Sequence, residues 1–325
     1  MGALKYCLAP MEGVTDSIYR QIYARMFSPF DRYYMPFLTP THEHLITARQ
    51  QRELDPERNA GLDVVPQLLT NDPALFLWAA DVLADMGYHE VNLNLGCPSG
   101  TVVRKKKGSG LLGDPAMLDR LLDGIFSRIN TAVSVKTRVG LRCEDEFPAI
   151  LEIFNRYPIC ELIVHPRVQA DQYRGTVRTD AFELAMRESR APVCYNGDLY
   201  CPEDVDALRT RFPALQSVML GRGAVANPGL IGRMRGGEWI TKDDLRAFHD
   251  TLYAECRAVM PGFKPTVFRM REYWSFWEHM FDAPARQLKR IRKATCFADY
   301  EQAVQSLFEQ CHFFPDGAYC PVKPV

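Results

Sequence analysis

Short apolar runs alternate with longer amphipathic stretches through the first 222 residues. The runs Lys5–Ala9, Arg32–Phe37, Leu62–Leu68, Glu90–Leu95, Ala132–Thr137, Glu161–His165, Pro192–Tyr195 and Ser217–Leu220 are rich in β-branched side chains and read as eight strands. Between them, Pro73–Met86, Pro115–Arg128, Glu146–Arg156 and Pro202–Phe212 carry helical periodicity. Pro73, Pro115 and Pro202 each follow an acidic residue or a cysteine. They mark first helical turns, where a missing N–H breaks no intrahelical bond. Alternating strands and helices imply parallel strands joined by crossover helices. Eight such units in about 220 residues fit a (β/α)8 barrel, although an open doubly wound sheet shares the alternation.

After about residue 236 the strand-like runs stop. Thr241–Met260, Val267–Phe281, Ala285–Cys296 and Asp299–Phe308 read as helices, separated by short breakers such as Pro261–Gly262. The expected architecture is α/β. A (β/α)8 TIM barrel covers residues 1–236, a small C-terminal helical-bundle domain covers 237–314, and an irregular tail with three prolines covers 315–325.

Composition narrows the class. Hydrophobic residues are 47% and charged residues 24% of 325, which excludes wholesale disorder and fibrous structure. No window approaches about 18 uninterrupted apolar residues, so no membrane span is expected. The N-terminal apolar run is too short for a signal peptide, and a cytoplasmic chain is expected. The ten cysteines show no CxxC spacing and none at zinc-finger distance from histidines. They are expected as thiols, most of them buried as small hydrophobes, with no metal site.

In a (β/α)8 barrel the chemistry sits at the C-terminal strand ends. Those ends carry Ala9-Pro10-Met11-Glu12-Gly13-Val14-Thr15-Asp16, then Gln67, then Asn92-Leu93-Asn94-Leu95-Gly96-Cys97-Pro98, then Lys136-Thr137-Arg138. His165-Pro166-Arg167, Asn196-Gly197-Asp198 and Gly221-Arg222-Gly223 complete the rim. Seven of eight strands end in amides, charges, glycines or a thiol, which a purely structural barrel does not require. Glycine turns after the last two strands let backbone N–H groups approach an anion, and Arg222 adds a charge-assisted bond. As a pair they favour a phosphate site, although either alone reads as an ordinary turn. Lys136 at a buried strand end needs an anionic or carbonyl partner, either a barrel carboxylate or the pyrimidine edge of a flavin. Cys97 lies on a loop over the rim. An unperturbed thiol titrates near 8.5, so it is protonated at neutral pH and suited to donate a proton.

These motifs resemble the tRNA-dihydrouridine synthases, in the family's order and spacing across the whole barrel. Asn94-Leu95-Gly96-Cys97-Pro98 is the most specific element, followed by Gly108-Ser109-Gly110-Leu111-Leu112. In the second half, Arg269-Met270-Arg271 before Tyr273-Trp274-Ser275-Phe276-Trp277 resembles the family's helical domain. The resemblance implies FMN as cofactor and NADPH as reductant. It implies Pro10, Met11 and Glu12 lining the flavin, Gln67 and Lys136 on its polar edge, and His165 near its ribityl end. Asn196, Gly197, Asp198, Gly221 and Arg222 would hold its phosphate. The implied reaction passes hydride from the flavin to C6 of a uracil flipped out of the tRNA, with Cys97 protonating C5 and Asn94 hydrogen-bonding the ring. Arg138 would also face the substrate. A monomer is implied. The chain departs from the family pattern at Lys106-Lys107, where the family has Gly-Ala, and at Pro166, where it has glycine.

The formal net charge of −1 hides an uneven distribution. Residues 99–113 carry +4 through Arg104, Lys105, Lys106 and Lys107, and residues 264–293 carry +5, leaving −10 on the rest. Arg271, Lys289, Arg290 and Arg292 of the second cluster are expected at the tRNA backbone. The competing reading of such a run is a solvated helix face. Tyr273, Trp274, Phe276 and Trp277 are expected in the core rather than as base-stacking platforms. Two other functions fit parts of the pattern. A reductase of free pyrimidines would not need the basic helices, and a non-catalytic tRNA-binding protein would not need Cys97 with Lys136.

Overall fold

The computed structural model describes residues 3–320, so the last five residues of the expected tail lie outside the described region. Nine short strands form one sheet: β1 Lys5–Leu8, β2 Arg32–Tyr34, β3 Val64–Val65, β4 Gln67–Leu68, β5 Glu90–Leu95, β6 Ala132–Gly140, β7 Leu162–Val168, β8 Val193–Asn196 and β9 Ser217–Leu220. Their order is β3-β2-β1-β9-β8-β7-β6-β5-β4. The two end strands are halves of one chain segment, parted only by Pro66. Val64 and Val65 pair with β2, whereas Gln67 and Leu68 pair with β5, both parallel. Proline supplies no ladder N–H, but the Pro66 carbonyl accepts from Asn92 N at 2.8 Å. The segment therefore joins both ends of the sheet, and eight strand positions make a nearly closed parallel barrel of the TIM type.

The longer strands β5, β6 and β7 are buried along most of their length, as a parallel sheet covered on both faces requires. Cys7, Ala9, Tyr34, Val65, Ile163, Cys194 and Met219 form one apolar cluster. The crossover helices start where sequence punctuation places them. Asp72 accepts from Ala74 N and Leu75 N ahead of Pro73–Asp85, and Asp114 accepts from Met117 N ahead of Pro115–Phe126.

Two compact units share the chain. The first comprises Met1–Pro10, Asp31–Gly197 and Leu208–Met219 and contains the barrel. The second comprises Met11–Phe30, Asp198–Ala207 and Leu220–Val325. Its main helices are Ser17–Met26, Lys242–Val259, Phe263–Trp277, Ala285–Lys293 and Phe297–Gln310. The third of these begins four residues before the expected Val267, because Pro265 falls within its first turn, where proline is tolerated. Tyr273, Trp274 and Trp277 are core side chains at 2% exposure or less, while Phe276 is half-buried. Tyr273 stacks between Tyr19 and Trp277, with ring centroids 5.6 and 5.4 Å away.

The expectation that most cysteines are buried fails. Cys7, Cys194, Cys256 and Cys311 are buried, but Cys143, Cys160, Cys296 and Cys320 are exposed because they fall on turns, helix edges and the tail. No helix among the described residues is long and apolar enough to cross a membrane.

Candidate active site at the C-terminal rim of the barrel

The loop that carries Cys97 leaves β5 at Leu95 and folds over itself. Asn94, still on the strand, accepts from the N–H groups of Gly96 and Cys97 at 3.0 and 2.9 Å. Twelve residues on, Ser109 donates its hydroxyl to the Cys97 carbonyl at 2.7 Å. Gly108 makes this close return possible: its φ is +55°, and a Cβ there would lie 2.9 Å from the Cys97 oxygen. Gln169 donates to the Pro98 carbonyl at 3.0 Å. The Cys97 backbone is therefore fixed from several sides, while its residue remains half-exposed.

Below the loop, inward-facing polar side chains form a ladder across neighbouring strands. Asn94 donates to Gln67 at 2.7 Å, Gln67 to Asn92 at 2.8 Å, and Asn92 to Ser134 at 2.8 Å. Gln67 is fully buried with both ends of its amide engaged in this ladder. Two residues along β6, Lys136 donates to Asn196 Oδ1 at 2.7 Å, and Asn196 donates to the Met219 carbonyl at 2.8 Å. Burial, helped by the charge of Arg138, lowers the Lys136 ammonium from its ordinary 10.5 to about 8. Arg138 is fully buried and donates to the Gly96 and Val168 carbonyls, both at 2.9 Å. Its guanidinium thus ties the loop that carries Cys97 to the end of β7.

His165 is 7% exposed and lies 3.1 Å from the Arg167 guanidinium, which also donates to the Arg174 and Gly175 carbonyls. Gly197 packs close by: a Cβ there would fall 3.5 Å from the His165 ring. β7 runs through Pro166, opposite a register shift between Arg138 and Gly140 on β6, where a missing N–H breaks no regular ladder bond. Proline is accommodated there by the bulge. Tyr173 is a rim residue that sequence reasoning missed. Its ring is 52% exposed, 5.3 Å from the Arg138 guanidinium carbon and 6.2 Å from the His165 ring. It sits on a loop, where no periodicity singles out one residue. Pro10, at the end of the β1 segment, is half-buried.

The remaining expected cofactor residues belong to the second unit. Met11 is half-buried, and its backbone closes a turn with Val14 and Thr15; Glu12 is exposed. Asp198 and Arg222 form an ion pair at 2.9 Å, and Tyr200 donates to the same carboxylate oxygen at 2.7 Å. Gly221 precedes the short helix Arg222–Ala226. A Cβ on Gly223 would meet the Leu199 oxygen at 2.1 Å, so the Gly-Arg-Gly turn depends on its second glycine for packing.

The basic residues divide into several jobs. Arg104 and Lys105 are exposed, and Lys107 is half-buried, its pKa lowered by burial. Lys106 pairs with Asp114 at 3.1 Å and holds φ +50°, the left-handed region that glycine adopts without strain. Arg271 donates to the Ile291 and Ala294 carbonyls and caps the end of Ala285–Lys293. On that helix Gln287, Leu288 and Ile291 are buried, while Lys289, Arg290 and Arg292 are exposed. Arg286 and Lys293, exposed as well, extend a stripe with Lys289 and Arg290 at helical spacing.

The sequence pattern of the family described as Dihydrouridine synthase (Dus) matches residues 7–308. The chain is 30% identical over 230 residues to the "Probable tRNA-dihydrouridine synthase 1" of Synechocystis, covering 70% of this chain and 63% of that protein. It is 30% identical over 236 residues to the "tRNA-dihydrouridine(16) synthase" of Ralstonia nicotianae, covering 70% and 72%. The "tRNA-dihydrouridine synthase B" of Shewanella oneidensis is 28% identical over 222 residues, covering 68% of each. The chain thus spans just under two thirds of the first of these relatives and slightly more of the others. Among solved structures, "Morphinone reductase" superposes with a TM-score of 0.51 at 13% identity, covering 72% of this chain and 86% of that one. "Crystal structure of TcOYE with pHBA" superposes with a TM-score of 0.51 at 10% identity, covering 71% and 88%. At those identities the likeness is one of fold alone.

Proposed function

The chain belongs to the dihydrouridine synthase family, and from that premise we propose that it reduces a uridine of tRNA to 5,6-dihydrouridine, with FMN as cofactor and NADPH as reductant. The observation that carries the reading is the half-exposed Cys97 on the barrel rim, with Lys136 and the buried Arg138 of the neighbouring strand donating to an amide oxygen and to backbone carbonyls.

The donor set fits a flavin. The pyrimidine edge of a flavin is rich in acceptors, and Lys136 offers an ammonium there whose present partner is a neutral amide oxygen. In the barrel unit Pro10, Gln67, Lys136, His165, Asn196 and Gly197 are the proposed cofactor residues. The second unit would contribute Met11 and Glu12, together with Asp198, Gly221 and Arg222 toward the phosphate. Gln67 acts chiefly by orienting Asn94, given how its amide is engaged.

FMN, held by these residues, would supply the hydride chemistry at C6 of the uracil. The other half of the reaction falls to the protein. The Cys97 Sγ–H bond breaks as a C5–H bond forms on the ring, and the half-exposed thiolate regains its proton from solvent. Asn94 and Ser109 fix the backbone that carries Sγ, and Arg138 holds the loop through the Gly96 carbonyl. Arg138 and the exposed Tyr173 ring are the proposed contacts of a flipped uracil, the ring by stacking. Arg104, Lys105, Lys106, Lys107, Lys289, Arg290 and Arg292 are proposed at tRNA phosphates, and Arg271 as the residue that holds the second group's helix in place. A cytoplasmic monomer is the proposed working form.

Purified protein is expected to show flavin absorbance, and to consume NADPH as uridines in unmodified tRNA gain two hydrogens by mass spectrometry. A protein that cannot be reconstituted with FMN, or that reduces free uracil as well as tRNA, would overturn this reading.

A further inference from the structure

The family match ends at residue 308, but the chain continues in an ordered path. Phe313 bridges to Phe281, and Phe314 N donates to the Met280 carbonyl at 2.8 Å. Asn227 then holds the segment by donating to the Pro315 and Gly317 carbonyls at 2.9 and 3.1 Å. A Cβ on Gly317 would lie 2.6 Å from the His279 oxygen, so the chain passes there as closely as glycine allows. These anchors deliver Tyr319 to one place. Its ring lies 5.1 Å from His279, 5.9 Å from Phe276 and 5.3 Å from Tyr200. The Arg222 guanidinium carbon lies 5.3 Å from the Tyr319 ring and 5.6 Å from the Tyr200 ring.

Two tyrosine rings and the Asp198 carboxylate therefore all bear on Arg222. A guanidinium carries five N–H donors in a rigid plane, so fixing that plane fixes the direction of every donor. A long side chain without such a cage loses rotamer entropy when it grips an anion; one held in advance loses less.

We propose that Tyr319, on the segment beyond the family match, is a positioning residue that pre-orients Arg222 for the phosphate of the cofactor. This rests on the reading of Arg222 as a phosphate ligand. Tyr200, whose ring adjoins that of Tyr319, supplies the first aromatic contact, and the tail after residue 308 serves to bring the second ring. Tyr319 does not touch the reacting atoms, and its effect passes entirely through the guanidinium.

The test compares two flavins that differ by the phosphate. Apo-protein is titrated with FMN and with riboflavin, following the quenching of flavin fluorescence. Tyr319→Ala is expected to weaken FMN about five- to tenfold, the scale of one partly exposed cation–π contact, and to leave riboflavin unchanged. Tyr319→Phe, which keeps the ring, is expected to restore wild-type FMN affinity. Tyr319→Leu keeps apolar bulk against Phe276 and His279, so it should preserve the melting temperature yet bind FMN as weakly as the alanine variant. Unchanged FMN affinity in the alanine and leucine variants would overturn the proposal, as would equal weakening toward both flavins. Arg222→Ala separates the two levels. If it too leaves the preference for FMN over riboflavin intact, the phosphate reading itself is wrong. If it abolishes the preference while the Tyr319 variants do not, only the role of Tyr319 fails.

Discussion

The two ends of the barrel treat buried charge in opposite ways. At the N-terminal ends of the strands, charges meet partners of their own kind of strength. Arg32 pairs with Asp63 at 2.9 Å and Glu90 at 2.8 Å, while Tyr34 and Ser217 both donate to Glu161. Burial raises the Glu90 carboxyl and raises Tyr34, so these groups stay in a neutral or paired state. At the C-terminal ends, Lys136 and Arg138 are cations held by an amide oxygen and two backbone carbonyls. Burial lowers both of their pKa values. A barrel selected for stability alone would pair these cations as it pairs Arg32. These two cations, with Asp171 the acid that acts on Arg138, are the feature on which the proposed ligand site rests.

The sharpest way to break this contrast is at the thiol. Cys97→Ala is expected to lower turnover on tRNA by about 10²–10⁴-fold, the usual range for a lost general acid, with FMN affinity unchanged. Turnover within a few-fold of wild type would remove Cys97 from the acid role.

At the opposite end the roles reverse. Arg32→Met should cost the fold about 1–2 kcal/mol, between the exposed and buried limits for an ion pair, and leave FMN affinity alone. Urea unfolding checks the first part and flavin titration the second. A loss of flavin affinity comparable to the loss in stability would mean that the two ends are not separable.

The basic helix Ala285–Lys293 provides the next test. Replacing Arg286, Lys289, Arg290 and Lys293 together with glutamine should weaken tRNA binding about tenfold near physiological salt and flatten its salt dependence. Glutamine keeps helix propensity and removes only charge. An unaltered salt slope would return that helix to a solvated face.

The smallest expected effect is the pH response of Lys136. Its folded pKa of about 8 lies below the ordinary 10.5. Between those values the unfolded chain binds a proton that the folded chain does not, so apo-protein stability should gain as pH rises through that window. Lys136→Met should abolish the gain. FMN affinity should run the other way and fall above pH 8 as the cation is lost. Parallel rather than opposed pH trends in stability and FMN affinity would show that the cation is not placed for the ligand.

Much of the fold was legible from local patterning. Glu90–Leu95 and Ser217–Leu220 have the expected limits, and Pro73, Pro115 and Pro202 do open helices. Misplaced limits came from long-range pairing: β6 extends to Gly140 and β7 to Val168 because each supports the other past the apolar run. The positions of Cys97, Lys136 and Asn196 on the rim followed from strand ends alone. Their duties did not. Nothing local tells that Asn94 spends its oxygen on the N–H groups of Gly96 and Cys97, that Arg271 caps another helix, or that Lys106 takes a left-handed turn.

The sequence by itself determined the strand and helix rhythm, the rim chemistry and the uneven charge, because periodicity and residue type act over a few neighbouring positions. Only the tertiary structure decided how the barrel closes through the strand split at Pro66. Only it showed that Arg138 grips a carbonyl 42 residues away and that Arg222 meets the adjoining rings of Tyr200 and Tyr319. The physical reason is that a polar side chain has few hydrogen bonds to give. Which partner receives them depends on what the fold brings within about 3 Å, and that is set by pairings between segments far apart in the chain.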